Sequence, residues 1–160
     1  MSLKHVVLAL VATTMAGGAA YAEPAGPIIT ISAQLAVKAA VAALTNCSNK
    51  GYRVTVTIVD REGITRAQLV GDGAGPFSIT TSRRKAYTSA GLGLSTGVLE
   101  KGPAYTGPPI DPEFITFAGG LPIVSHGAVI GAIGVGGADH SDKDEACAQA
   151  GLDAIKDMLN

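Results

Sequence analysis

Apolar and polar positions recur along this chain with two periods, and the switches between them mark out helices and hairpins. From Ser32, whose hydroxyl suits a helix cap, Leu35, Ala39, Ala42 or Ala43 and Asn46 follow at helical spacing, which predicts a helix to about Asn46 with a narrow, alanine-rich face. Arg53 to Val59 changes to period two, with Val54, Val56 and Ile58 set against Thr55 and Thr57, and its β-branched content makes it the clearest strand in the chain. The turn Asp60-Arg61-Glu62-Gly63 brings the chain back through a second strand, Ile64 to Val70, with Gly63 at the position that needs a positive φ.

After the loop Gly71-Asp72-Gly73-Ala74-Gly75-Pro76, residues 78–92 are too many for a strand and lose the alternation. They predict a helix despite many Ser and Thr, with Ile79, Ala86 and Ala90 on its apolar face. Residues 95–113 read as a short helical turn and a long loop holding Pro103, Gly107, Pro108, Pro109 and Pro112. A second hairpin, Gly120 to Ser125 and Ala128 to Val135, turns about His126-Gly127. A last helix runs from Ser141 or Asp142 to about Leu159, its start marked by the capping-box pairs Ser141/Asp144 and Asp142/Glu145. The order predicts one α/β domain of the α+β type, a mostly antiparallel sheet of about five strands with helices packed on its faces.

The N-terminal segment does not belong to this pattern. Lys4-His5, the apolar run Val6 to Val11 and small residues ending in Ala20-Tyr21-Ala22 follow the order of a secretory signal cleaved after Ala22. The unbroken apolar run is far shorter than the ~20 residues a membrane span requires. The expected mature domain is therefore residues 23–160, periplasmic or secreted, with no membrane span. Charged residues make up 16% of the chain and the net charge is −1. With no tryptophan and no long basic run, this composition argues against a nucleic-acid partner. Cys47 and Cys147 are an even pair in an exported chain and predict a disulfide, which would make the first and last helices antiparallel neighbours; two buried free thiols are the alternative.

Several patterns suggest chemistry. Gly93-Leu94-Ser95-Thr96-Gly97 matches the hydrolase pattern G-x-S-x-G, with Asp111 and His126 downstream, but a helix precedes it where the nucleophile elbow needs a strand. Gly71, Gly73 and Gly75 fall short of a phosphate loop, because Pro76 occupies the last glycine position and no Lys-Ser/Thr follows. Asp139, His140, Asp142, Asp144 and Glu145 could gather a metal, although a capped, solvated helix start accounts for the same acids. Arg83-Arg84-Lys85, beside Tyr87 and Thr88, is the densest basic cluster. Consecutive helical side chains diverge, yet one or two of these cations turned toward the Gly71 to Pro76 loop could hold a carboxylate, propionate or phosphate; surface ion pairs or subunit contacts are the alternative. His126, on an exposed hairpin, and His140 are the candidate metal ligands.

The motifs Val54-Thr-Val-x-Ile-Val-Asp60 with Gly63, Gly71-Asp72-Gly73-Ala-Gly-Pro76, Arg84-Lys85-Ala86-Tyr87-Thr88 and Gly119-Gly120-x-Pro122, continuing through Gly127, Ile130-Gly131, Gly134 and Gly137 to Asp144-Glu145 and Ala148 to Gly151, occur in consistent order. Together they resemble the GlcG/HbpS family of haem-binding proteins over about residues 30 to 158. The resemblance implies a small subunit that assembles into a homo-oligomer, an octamer in some members, and binds haem or another small anionic ligand. It places Arg84, Lys85 and Thr88 in a segment like the haem-associated one, with Arg83 and Tyr87 beside them. The first functional reading is thus a secreted, non-catalytic haem-binding protein. A second is an enzyme or accessory protein acting on a small carboxylate of the glycolate type or on a corrinoid, and a third is a structural or sensory oligomer. Tyr87, Tyr105, Phe77, Phe114 and Phe117 are nearly the whole aromatic supply, so a haem site would draw its ring contacts from them.

Overall fold

A computed structural model describes residues 29–103 and 111–159 of the chain. The signal and cleavage site expected at 1–22, the start of the expected mature domain, and Tyr105, Gly107, Pro108 and Pro109 lie outside the described residues.

Helix α1 (Ala33–Asn49) begins where Ser32 Oγ accepts the N–H of Leu35 at 3.3 Å. It runs past Asn46 because the N–H groups of Lys50 and Gly51 close on the Cys47 and Ser48 carbonyls. Its buried face is Ala36, Ala39, Ala40, Ala43 and Cys47, one position round from the stripe expected through Leu35 and Asn46. Strands β1 (Thr55–Asp60) and β2 (Thr65–Val70) form the first hairpin, and β3 (Gly120–Ser125) and β4 (Ala128–Gly136) the second. The hairpins join through β1 and β4 into one antiparallel sheet of order β2-β1-β4-β3, so the fold is α+β with, among the described residues, four strands rather than about five. Residues 111–119, before β3, add no strand. They are held by side chains of helix α2 (Phe77–Leu92) instead.

The helices divide between the two faces of the sheet. On one, α1 packs beside α4 (Ser141–Asp153), and their alanines close over Val54, Val56, Ile58, Ile133 and Val135. Cys47 and Cys147 join the two helices in a disulfide with Cα atoms 5.6 Å apart. Gly151, one turn further along α4, lies against the Ala39 carbonyl and Ala43, so the helices run antiparallel. The last helix stops at Asp153 rather than near Leu159, because Ile155 turns into the core and a short 3-10 turn (Lys156–Met158) follows. Neither capping box forms. The cap position is His140, with no side-chain bond; Ser141 Oγ donates to Glu100, and Asp144 points inward.

On the other face, α2 lies on β4, β1 and β3. It does not bury the Ile79 stripe: Ile79 is exposed, and Ser78, Ser82, Lys85, Ala86 and Ser89 face the sheet. Ser78 and Ser82 meet Thr55 and Thr57 as hydroxyl pairs at 2.7 and 2.8 Å. Gly134 of β4 lies directly beneath the Ser82 carbonyl and the Ala86 N–H, where a Cβ would have no room. The Ser and Thr residues that weaken the helix as a sequence signal are therefore its docking surface. Among the described residues no helix is long and apolar enough to cross a membrane.

Candidate functional site

The side of α2 away from the sheet carries Arg83, Arg84, Tyr87 and Thr88, neighbours at helical spacing, and all four turn to residues 111–115. Arg84 Nη2 donates to the Pro112 and Phe114 carbonyls at 2.8 and 2.9 Å, and its Nε to the Glu113 carbonyl at 3.3 Å. Arg83 pairs with the Glu113 carboxylate. Thr88 Oγ1 accepts the Ile115 N–H at 3.0 Å, and Tyr87 OH donates to Asp111 Oδ2 at 3.5 Å. Asp111 Oδ1 in turn accepts the Glu113 N–H at 2.7 Å, which folds the segment into a tight turn. An irregular stretch of chain is thereby strapped onto a helix by directional bonds.

Opposite the strap stands the β1–β2 turn. Asp60 Oδ1 accepts the N–H groups of Glu62 and Ile64 at 3.1 and 2.9 Å and shapes it. Gly63 has φ +80°, and a Cβ there would lie 2.6 Å from Cδ2 of Tyr87, so the glycine lets the turn come up against the Cδ2–Cε2 side of the ring. Arg61 reaches across to donate to the Val129 carbonyl at 3.3 Å. Between turn and strap opens a cleft of about 330 Å³. Tyr87, Leu92 and Phe114 give it an apolar lining, Gly63 and Gly91 add no side chain to it, and Arg61, Glu62 and Asp111 bring charges to it. A volume near 300 Å³ is the lower end for small-molecule sites.

The structure thus brings Tyr87 and Thr88 to the cleft wall and uses Arg83 and Arg84 to hold the strap. Lys85 points the other way. It is 2% exposed, with Nζ 2.7 Å from Asp144 Oδ2, so it is part of the interior and does not meet solvent or ligand. Asp144 Oδ1 also accepts the Ala138 N–H at 3.1 Å. Burial pushes the Asp144 carboxyl above the ordinary aspartate range, against the opposing pull of the Lys85 ammonium and the backbone N–H groups of Ala138 and Gly137. None of the three cations turns to the Gly71 to Pro76 loop. That loop borders a different opening of about 440 Å³ with Leu44, Tyr52 and Arg53, larger than the cleft but without the converging side chains of α2.

The remaining candidates disperse. His126 (φ +47°) and Gly127 (φ +79°) form the two-residue turn at the exposed tip of the β3–β4 hairpin, and His140 is the exposed cap residue of α4. Neither lines the cleft. Asp139 is taken by Lys143 at 2.9 Å, a hydrogen bond that lowers its pKa. Among the described residues no group of three or more His, Cys, Asp or Glu side chains could hold a metal ion. Ser95 caps α3 (Thr96–Lys101) by accepting the Gly97 N–H and donates to Glu145 at 3.1 Å, a cap rather than a nucleophile. Phe77 and Phe117 are exposed elsewhere, which leaves Tyr87 and Phe114 as the cleft's aromatics among the described residues. Arg61, Glu62, Gly91 and Leu92 entered through tertiary placement; the one local signal was Asp111-Pro112-Glu113, an aspartate placed to cap a turn.

A family model described as "Haem degrading protein HbpS-like" matches residues 31–153. The chain is 35% identical to the crystal structure of HbpS, with a TM-score of 0.76 over 86% of this chain and 98% of that one. It is 25% identical to PduOC, solved as a heme complex, with a TM-score of 0.73 over 79% of this chain and 96% of the other. An uncharacterized 15.0 kDa protein of Citrobacter freundii, from a dhaT-dhaS intergenic region, is 30% identical over 137 residues, 82% of this chain and 96% of that protein. On the family match over residues 31–153 and these similarities over about four fifths of its length, the chain belongs to the HbpS-like family.

Proposed function

We propose that this protein binds haem in the cleft between the β1–β2 turn and the 111–115 strap. The observation that carries the reading is a largely apolar cleft with charged groups beside it, in a chain similar over most of its length to a protein solved with haem. The residues present suit the group. Gly63 and Gly91 admit a planar ring, Leu92 and Phe114 offer it apolar contact, and Arg61 stands beside it to meet a propionate. Arg83 and Arg84 act at one remove by keeping the strap in place. At about 330 Å³ the cleft encloses part of a macrocycle, with the remainder left to solvent or to a second subunit.

The setting we propose is a homo-oligomer, as large as an octamer, in the periplasm or outside the cell after removal of residues 1–22. The Cys47–Cys147 disulfide supports an oxidising compartment. The exposed apolar side chains Ile64, Val70, Phe77 and Ile79 support subunit contact. The family description favours a second reading, in which bound haem is also degraded.

Titration with hemin tests the proposal. A saturable, protein-dependent shift of the Soret band is the expected result, and absorbance identical to free hemin at every protein concentration overturns it. Bleaching of the bound chromophore on addition of a reductant under air would add turnover to binding. Binding of glycolate or a corrinoid in place of hemin would move the ligand class to the small carboxylate or corrinoid reading.

A further inference from the structure

We infer that the phenol oxygen of Tyr87 is the protein atom that ligates ferric haem iron in this cleft, with the Asp111 carboxylate taking up its proton. The inference rests on the haem reading above.

Among the described residues the donor set narrows to this atom. No imidazole, thiol or thioether is among the described residues that line the cleft. The two cysteines are bonded to each other, Met158 Sδ accepts from Lys38 on the α1 side, and His126 and His140 lie outside the cleft. Oxygen ligands remain. Thr88 Oγ1 is buried and already accepts the Ile115 N–H, and Glu62, though it lines the cleft, sits on an exposed turn where no hydrogen bond anchors its carboxylate among the described residues. Asp111 Oδ1 is held by the Glu113 N–H. Tyr87 differs on both counts. Its ring is held by the close seat of Gly63, and among the described residues its hydroxyl makes one hydrogen bond, the 3.5 Å donation to Asp111 Oδ2, a long contact in which the phenol oxygen accepts nothing.

Phenolate oxygen is an established axial donor to haem and suits the ferric state. Ligation breaks the Tyr87 O–H bond and forms an iron–oxygen bond. The proton passes to Asp111 and on to solvent, and no oxidation state changes. Asp111 therefore has two tasks on its two oxygens, folding the strap through Oδ1 and receiving the phenol proton through Oδ2.

The test is resonance Raman and electron paramagnetic resonance on the ferric haem complex of the full protein, beside Tyr87→Phe, Asp111→Asn and His126→Ala. Wild type and His126→Ala should show tyrosinate vibrations enhanced with the haem bands. Tyr87→Phe keeps the ring on Gly63, should lose those vibrations, and should bind hemin roughly tenfold or more weakly, whereas Asp111→Asn should retain them with a smaller loss of affinity. Absence of tyrosinate bands in the wild-type complex overturns the assignment without recourse to any variant. So does a Tyr87→Phe complex with wild-type spectrum and affinity, or a spectrum that changes in His126→Ala instead. In those cases saturable binding persists and the haem reading stands; if the wild type binds no hemin, the reading beneath fails with it.

Discussion

The two faces of this sheet are covered by helices of about the same length, yet different forces hold them. Where α1 and α4 pack, alanines meet valines and isoleucines in one continuous apolar cluster, and a disulfide ties the helices to each other. Where α2 packs, the apolar cluster shrinks to Val59, Ala86, Ala90 and Ala132, and the contact is made by hydroxyl pairs, close glycines and the buried Lys85–Asp144 ion pair. Apolar burial is non-directional and tolerates small shifts of a helix over its sheet. Hydrogen bonds and a buried ion pair do not, so α2 has one seating. Its outer side chains consequently point at one place, the strap, and the cleft is built there. The first face supplies stability and the second supplies position.

The sharpest way to break the contrast is on the disulfide side. Replacing Cys47 and Cys147 together by Ala releases a cross-link spanning 100 residues, for which the chain-entropy model gives about 4.7 kcal/mol. Urea unfolding of the oxidised wild type against the double variant should show a loss of that order. Below the midpoint, hemin affinity should stay unchanged, because no cleft residue touches the bridge. A variant that loses affinity in proportion to its stability would show that the two faces are not separate.

On the α2 face the next largest effect is expected at Lys85. Lys85→Met leaves the Asp144 carboxylate buried without its counter-charge and should destabilise by about 3 to 4 kcal/mol. The paired variant Lys85→Met with Asp144→Leu removes both charges and should recover most of that loss in a double-mutant cycle. If the pair serves position, the rescued protein will still show weaker hemin binding than wild type, since an apolar contact does not fix the rotation of α2. A smaller step is Ser82→Ala, about 1 kcal/mol by thermal unfolding, because Thr57 Oγ1 keeps the hydrogen bond that Gln68 donates to it at 2.8 Å.

The same contrast explains what was legible in the sequence. Val54, Val56 and Ile58 against Thr55 and Thr57 announced β1 because period-two alternation is a local signal, and Ser32 announced the start of α1 because a cap acts within three residues. The antiparallel α1–α4 pair followed from two cysteines. Lys85 was misplaced because three consecutive cations look alike in sequence, and which one turns inward depends on Asp144, 59 residues away. Asp144 was hidden for the matching reason: an acid in a first helical turn has a sufficient local explanation, the helix dipole, until a buried lysine is seen above it. Of the strap, only the turn capped by Asp111 has a local signal; its seat on α2 does not. That seat comes from guanidinium bonds to backbone carbonyls, and carbonyls carry no sequence signature.

The smallest expected effect on stability tests the division most directly. Gly91 lies in the last turn of α2 with helical backbone, and a Cβ built there meets nothing within 4 Å, although the residue lines the cleft. Gly91→Leu therefore starts a side chain at the cleft with open space at its Cβ, and the gain in helix propensity, at most about 1 kcal/mol, offsets the newly exposed apolar surface. Thermal unfolding should fall close to wild type, and the disulfide and the Lys85–Asp144 pair should be untouched. Hemin titration should nonetheless lose its saturable phase, because the space that Gly91 and Gly63 leave without side chains is filled. Wild-type hemin affinity in Gly91→Leu would place the ligand outside this cleft, and would leave the directional bonds of the α2 face without the role argued for them.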